Sequence, residues 1–302
     1  MQGLPTVNIL DLEFLGESNV IAGYLMESED GLILVETGPE TTFDSLCKAI
    51  EKSGHYWKDI RHVLLTHIHF DHAGAAWKLA DNGAKVYVHP KGLPHLHNPE
   101  KLWNSAKRIY LDDMERLWGE MKPIDEKLLI PVDEGSQLHI GGVEFKVYYT
   151  PGHAIHHNAY QLGNVLFTGD VAGVKIGNGP VVPPCPPPDI NIELWKQSIQ
   201  KLRALHSATL YLAHFGPVFN TVAHFNQLEM MLDDWKGWMK PFYDKQIPPA
   251  EITPQFVAYT QNQLGKYGVS EGDIERYEKG NPSFMSVTGL LRYWKLKEEG
   301  RL

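Results

Sequence analysis

Cysteine is nearly absent from this chain: Cys47 and Cys185 are the only two in 302 residues, so no disulfide framework is expected to hold it together. No apolar run approaches the ~18 residues that a membrane helix needs, and no membrane partner is expected. The opening Met1-Gln2-Gly3-Leu4-Pro5 has neither the basic nor the apolar stretch of an export signal, which makes the cytoplasm the expected location. Positive charge is scarce as well. With 28 Lys and Arg against 37 Asp and Glu, the formal charge is −9. That is the wrong sign for a protein that tracks a phosphate backbone, so a small molecule rather than a nucleic acid is the expected partner. A Gly-x-Ser-x-Gly elbow is missing too, which removes one common protein nucleophile. Internal repeats are not evident. What remains, 43% hydrophobic and 22% charged residues, is the composition of an ordinary globular protein.

Against that background one segment stands out: Thr66-His67-Ile68-His69-Phe70-Asp71-His72 follows the apolar run Val63-Leu64-Leu65. The run is short, β-prone and bounded by polar residues, so it reads as a buried strand delivering three histidines and a carboxylate to the loop after it. Imidazole and carboxylate suit borderline divalent metals, with zinc first and iron or manganese as alternatives. Three further candidates follow strand-like runs in the same way. Val143–Tyr149 breaks at Thr150-Pro151-Gly152-His153, Val165–Gly169 leads into Asp170, and Ala208–Ala213 leads into His214. These lie 81, 17 and 44 residues apart, counting from His72. Neighbouring strands of a sheet can carry such distant positions to one edge, where ligands are commonly bound.

The full pattern, His-x-His-x-Asp-His and then a histidine, an aspartate and a histidine, resembles that of the metallo-β-lactamase-fold hydrolases, over about residues 8–217. The resemblance implies a four-layer αββα sandwich in an α/β class. It implies that His67, His69 and His153 hold a first divalent ion and Asp71, His72 and His214 a second, with Asp170 bridging them. Where the superfamily usually has Asp-Thr-Gly after an early strand, this chain has Glu36-Thr37-Gly38. Glu36 keeps the charge and is expected to orient a ligand histidine. His157, four residues after His153, stands at a position often polar in the superfamily and is expected to support the ligands by hydrogen bonding. Many true β-lactamases of the superfamily lack His72 or the bridging aspartate, so antibiotic hydrolysis is not the first expectation. The closest likeness is to poorly characterised single-chain prokaryotic hydrolases.

The expected domain of residues 1–217 carries that metal site, and residues 218–302 form a helical extension. Helices are expected near 42–53, 73–82, 99–121 and 191–205. Strands are expected near 7–15, 19–27, 31–36, 61–66, 84–89, 128–131, 137–141, 143–149, 158–162, 165–169 and 208–213, with a hairpin turn at Gly163-Asn164. Gly179-Pro180-Val181-Val182-Pro183-Pro184-Cys185-Pro186-Pro187-Pro188 should run as a stiff extended loop near the pocket mouth. Cys185 reads as a bystander and Cys47 as a core thiol. His89, His95 and His97 read as structural or pocket-wall residues. In the tail, Val222, Phe225, Leu228, Leu232, Trp235 and Trp238 make a helical stripe ending before Pro241. Thr253-Pro254 and Asn281-Pro282 read as helix starts. The last helix presents Phe284, Val287, Leu291 and Trp294. Such stripes are expected to pack on the core or on a second copy in a homo-oligomer, with capping of the substrate pocket as the alternative.

The chemistry implied is attack by a metal-bridging hydroxide on an ester-like bond (carboxyl ester, lactone, thioester or phosphoester), with Asp71 both ligating and assisting proton transfer. Two alternatives stand beside it: a mononuclear iron enzyme resembling persulfide dioxygenases, and a non-catalytic protein stabilised by metal.

Overall fold

The computed structural model describes residues 4–302; Met1–Gly3, which belong to the opening segment considered above, lie outside the described residues. The chain divides into two compact units. One comprises the residues up to Tyr149 together with His156–Thr168, and the other Thr150–Ile155 with Gly169–Leu302. The architecture is mixed α/β, with two sheets flanked by helices and a helical C-terminal region.

The first unit contains, in chain order, β1 (Asn8–Asp11), β2 (Ala22–Ser28), β3 (Gly31–Val35), α1 (Phe43–Lys52), β4 (Ile60–Leu64), α2 (Phe70–Ala73), α3 (Ala76–Asp81) and β5 (Lys85–Val88). It continues with α4 (Leu93–His97), α5 (Glu100–Tyr110), α6 (Met114–Trp118), β6 (Leu129–Pro131), β7 (Gln137–Ile140), β8 (Val143–Tyr149), β9 (Asn158–Leu162) and β10 (Val165–Phe167). The first sheet runs β1-β2-β3-β4-β5-β6. Its β3, β4, β5 and β6 are parallel. Their C-terminal ends therefore share one edge, which Glu36, Thr66, His89 and Val132 continue. Strands β7 to β10 form an antiparallel meander, closed between β9 and β10 by the expected Gly163-Asn164 turn, where Gly163 takes φ 56.

Alternation explains which face goes inward. In β8, Val143, Phe145 and Val147 are buried while Glu144 and Lys146 are exposed. Phe145 meets Phe167 of β10, and Phe167 meets Tyr24 of β2, with ring centroids 6.3 and 5.4 Å apart. The two sheets of this unit thus pack face to face, and the Tyr160 hydroxyl donates across to the Leu65 carbonyl at 2.8 Å. On the other face of the first sheet, Phe43, Leu46 and Ile50 of α1 join Leu34, Val63, Val86, Leu79 and Met114 in one core. Their three- and four-residue spacing puts them on one side of the helix.

The second unit contains α7 (Ile192–Arg203), the antiparallel pair β11 (Thr209–Leu212) and β12 (Gly216–Val218), and then α8 (Thr221–Asp244), α9 (Pro249–Lys266), α10 (Glu271–Gly280) and α11 (Ser283–Glu298). Phe225, Leu228, Leu232 and Trp235 are buried as the stripe required, whereas Val222 is exposed.

Several expected elements differ. The helix expected over 73–82 is two, α2 and α3, separated at Gly74 and Ala75; a Cβ on Gly74 would lie 2.5 Å from the Phe70 carbonyl oxygen and 2.9 Å from Pro39 Cα. The stretch 99–121 is likewise broken between α5 and α6, where Leu111 turns to φ 50 ahead of two aspartates. Pro241 lies inside α8 rather than ending it. Near a helix C-terminus it forfeits a single bond to residue 237, which the last turn tolerates. Thr253-Pro254 lies inside α9, which instead starts on Pro249, a proline already at the first helical position. The buried face of α11 carries Met285, Ser286, Val287, Gly289, Leu290 and Tyr293, while Phe284 faces solvent.

Candidate metal centre

In the first unit the ligand-type residues grow out of the C-terminal end of β4. His67 is fully buried, with Nδ1 3.0 Å from the Thr66 hydroxyl oxygen. With Thr66 accepting that N–H, the Nε2 lone pair faces His69, whose Nδ1 is 2.9 Å away. Two imidazole nitrogens so close repel unless a proton or a cation stands between them. The spacing suits a shared ion ~2.0–2.1 Å from each. His69 is extended (φ −62, ψ 154) and α2 starts after it, its first turn bonding back to the His69 carbonyl. Phe70 anchors the turn in the core against Trp103 and Trp118.

That turn sets His72 with Nε2 3.7 Å from an Asp71 oxygen and Nδ1 3.4 Å from Glu36 Oε2. Thr37 fixes the backbone here, donating both its N–H and its hydroxyl to the His72 carbonyl at 2.9 and 2.8 Å. Glu36 itself is 1% exposed, in the left-handed region at φ 63, and neither carboxylate oxygen has a hydrogen bond. A buried carboxylate without donors is costly. Positive charge nearby, such as a metal-loaded imidazole cluster would supply, would offset that cost. This orphaned carboxylate, aimed at a ligand-type histidine, is the arrangement that metal-ligating histidines commonly have behind them.

His157 is fully buried and lies against the His67 ring, 4.9 Å between centroids. His156, which the sequence reading passed over, is also buried and packs on both His67 and His69. A doubled histidine three residues past a ligand-type one was the available signal.

The second unit brings together His153, Asp170 and His214. His153 follows Gly152, at φ 131, where a Cβ would lie 2.3 Å from Trp195 Cα. Only glycine fits there. The His153 Nδ1–H donates to the Pro184 carbonyl at 2.9 Å, which leaves Nε2 3.3 Å from Asp170 Oδ2. The other oxygen, Oδ1, faces His214 Nε2 at 3.5 Å. One carboxylate thus serves two imidazoles, one with each oxygen. Its backbone is held in turn: the Trp195 indole donates to the Val171 carbonyl at 2.8 Å and His224 Nε2 to the Ala172 carbonyl at 2.7 Å. Burial pushes the His224 imidazole down to about 4, so it sits neutral.

Pro184 is buried rather than lining open solvent, and burial pushes the Cys185 thiol well up from its ordinary value. Cys185 is therefore no nucleophile near neutral pH. His89 is buried, stacked on Tyr149 and 3.3 Å from Asp133. His97 contacts the Ile124 carbonyl. Both sit in structural contacts.

These side chains fit divalent metal ions. A family model described as the metallo-beta-lactamase superfamily matches residues 20–214. A metallo-beta-lactamase fold-containing protein of Sulfurisphaera tokodaii is 28% identical over 72% of this chain and 80% of its own length. A hydroxyacylglutathione hydrolase of Idiomarina loihiensis is 26% identical over 66% of this chain, which spans 62% of that enzyme. A solved metallo-beta-lactamase family structure from Thermus thermophilus is similar in fold at TM-score 0.65, with 20% identity over 98% of this chain and 94% of the other. No helix among the described residues is long and apolar enough to cross a membrane.

Proposed function

Because the chain belongs to the metallo-β-lactamase superfamily, we propose that it is a dinuclear metal-dependent hydrolase of an ester-like bond: carboxyl ester, lactone, thioester or phosphoester. His67, His69 and His153 would hold one ion, Asp71, His72 and His214 the other, and Asp170 would bridge them. The observation that carries this reading is the division of the Asp170 carboxylate, Oδ2 towards His153 and Oδ1 towards His214. A carboxylate serving one ion would not need to present each oxygen to a different imidazole. When bound, the ions supply Lewis acidity and water made nucleophilic near neutral pH. Zinc suits this ligand set best, with iron or manganese also accommodated.

The chain's own groups do the rest. Thr66 and the Pro184 carbonyl meet Nδ1 of His67 and of His153, and the Glu36 carboxylate faces Nδ1 of His72 at 3.4 Å, an arrangement that turns each Nε2 inward. Asp71 is the one carboxylate of the set with a partly exposed side chain, 21% against 4% for Asp170. It is positioned to pass a proton from its oxygen to a departing group. The relationship to a hydroxyacylglutathione hydrolase supports acyl transfer to water as the reaction class.

Elemental analysis of purified protein, run beside a panel of nitrophenyl esters, a lactone, a thioester and a phosphodiester, tests the proposal. Near two ions per chain and hydrolysis of at least one class are expected. A reproducible single iron with oxygen consumption would replace the proposal with the dioxygenase reading.

A further inference from the structure

His156 is 7% exposed and belongs to the same compact unit as the β4 ligands. Its ring stands perpendicular to His69 (88°, centroids 5.7 Å apart) and nearly parallel to His67 (14°, 6.1 Å). One imidazole therefore touches both ligand-type histidines whose nitrogens converge at 2.9 Å. That convergence demands fixed rings. The second torsion of histidine is broad and roughly two-fold, so free rotation of His69 would carry Nδ1 away from His67 Nε2. An edge-to-face neighbour restricts such rotation, because only one ring angle preserves the contact.

We propose that His156 is a positioning residue that sets the ring angle of His69, and through it the affinity and geometry of the first metal ion. The proposal rests on the dinuclear reading above. It differs from the role of Thr66, which meets His67 through a hydrogen bond, and from that of Glu36, whose carboxylate faces His72, in acting through ring packing.

The test uses the full chain, with His156→Ala removing the ring and His156→Phe keeping a planar one. Zinc affinities come from competition with a chromophoric chelator, and the cobalt-substituted proteins are compared by visible absorption. The alanine variant should bind one of its two ions about ten- to a hundredfold more weakly and show an altered cobalt spectrum. The phenylalanine variant should retain affinity within a few-fold of the wild type. Wild-type protein that binds no ion would overturn the dinuclear reading and this proposal with it. Two ions in the wild type and an alanine variant indistinguishable from it would overturn this proposal alone. So would a phenylalanine variant as weak as alanine, since ring packing would not then be what matters.

Discussion

Glu36 occupies a left-handed backbone conformation at φ 63, which costs a non-glycine residue roughly 1–2 kcal/mol. The fold tolerates this because Thr37, the next residue, is tied twice to the His72 carbonyl, and because the carboxylate then faces His72. Glu36→Gln keeps the shape and removes the charge. It should weaken one metal by about ten- to a hundredfold while circular dichroism reports an unchanged fold; equal affinity would leave Glu36 without its orienting role. Asp170→Ala should abolish turnover more completely than it abolishes metal binding, since each ion keeps three other proposed ligands. Near-normal turnover in a folded variant would sink the bridging assignment. His224 offers a stability prediction of a different kind. Its folded pKa of about 4 lies below the ~6.5 of a free imidazole. The unfolded chain therefore binds a proton first, and the stabilisation is full above pH ~6.5 and lost as pH falls towards 4. The loss amounts to roughly 2–4 kcal/mol. Melting curves of His224→Gln should fall less steeply across that window than those of the wild type, and parallel curves would refute the assignment.

At the scale of elements, the tail helices hold the segment that carries Asp170. His224 of α8 reaches the Ala172 carbonyl, Tyr277 of α10 donates to the Pro180 carbonyl, and Asn281 to the Pro183 carbonyl. Removing residues from 221 onward strips these donors along with buried Phe225, Leu232 and Trp235. At ~1.5–3 kcal/mol for each large side chain, the loss rivals the ~5–15 kcal/mol stability of a domain. The truncated chain should aggregate or unfold. A soluble truncation with unchanged melting temperature and altered substrate preference would instead make the tail an independent lid. Helix α11 shows why part of this packing was illegible in the sequence. Hydrophobic periodicity pointed to Phe284, Val287, Leu291 and Trp294, yet a very close approach is made by Gly289, where a Cβ would lie 1.9 Å from the Cys185 carbonyl oxygen. Small residues mark a tight contact without raising any apolar signal. The strand ends, by contrast, were legible, because Val63-Leu64-Leu65 and the alternation of β8 are local patterns that tertiary contacts reinforce. The same division runs through the site. His67 to His72 announce themselves by spacing, whereas the Pro184 carbonyl behind His153 is a backbone acceptor that any residue could supply.

For the whole molecule, ions that bind only the folded chain must stabilise it by mass action, about 4 kcal/mol at a thousand times the dissociation constant. Chelation should therefore lower the melting temperature by on the order of 10 °C, with recovery on adding zinc back. A melting curve indifferent to chelator would mean that the folded chain holds no ion tightly, and would count against the metal centre. The proline-rich segment carries a different consequence. From Pro183 to Pro188 only Cys185 has a backbone N–H, and that one donates to Ser286. Further attachments arrive as side-chain donors: Asn281 on Pro183, His153 on Pro184 and Arg292 on Pro188. A ribbon of acceptors with almost no donors cannot recruit a neighbouring strand or be zipped shut by one. It is closed instead like a row of buttons, some sewn to α11 and others to loops, and each replaceable by a single substitution. Amide hydrogen exchange would be almost blind to its opening, so its movements must be watched from the donors' side.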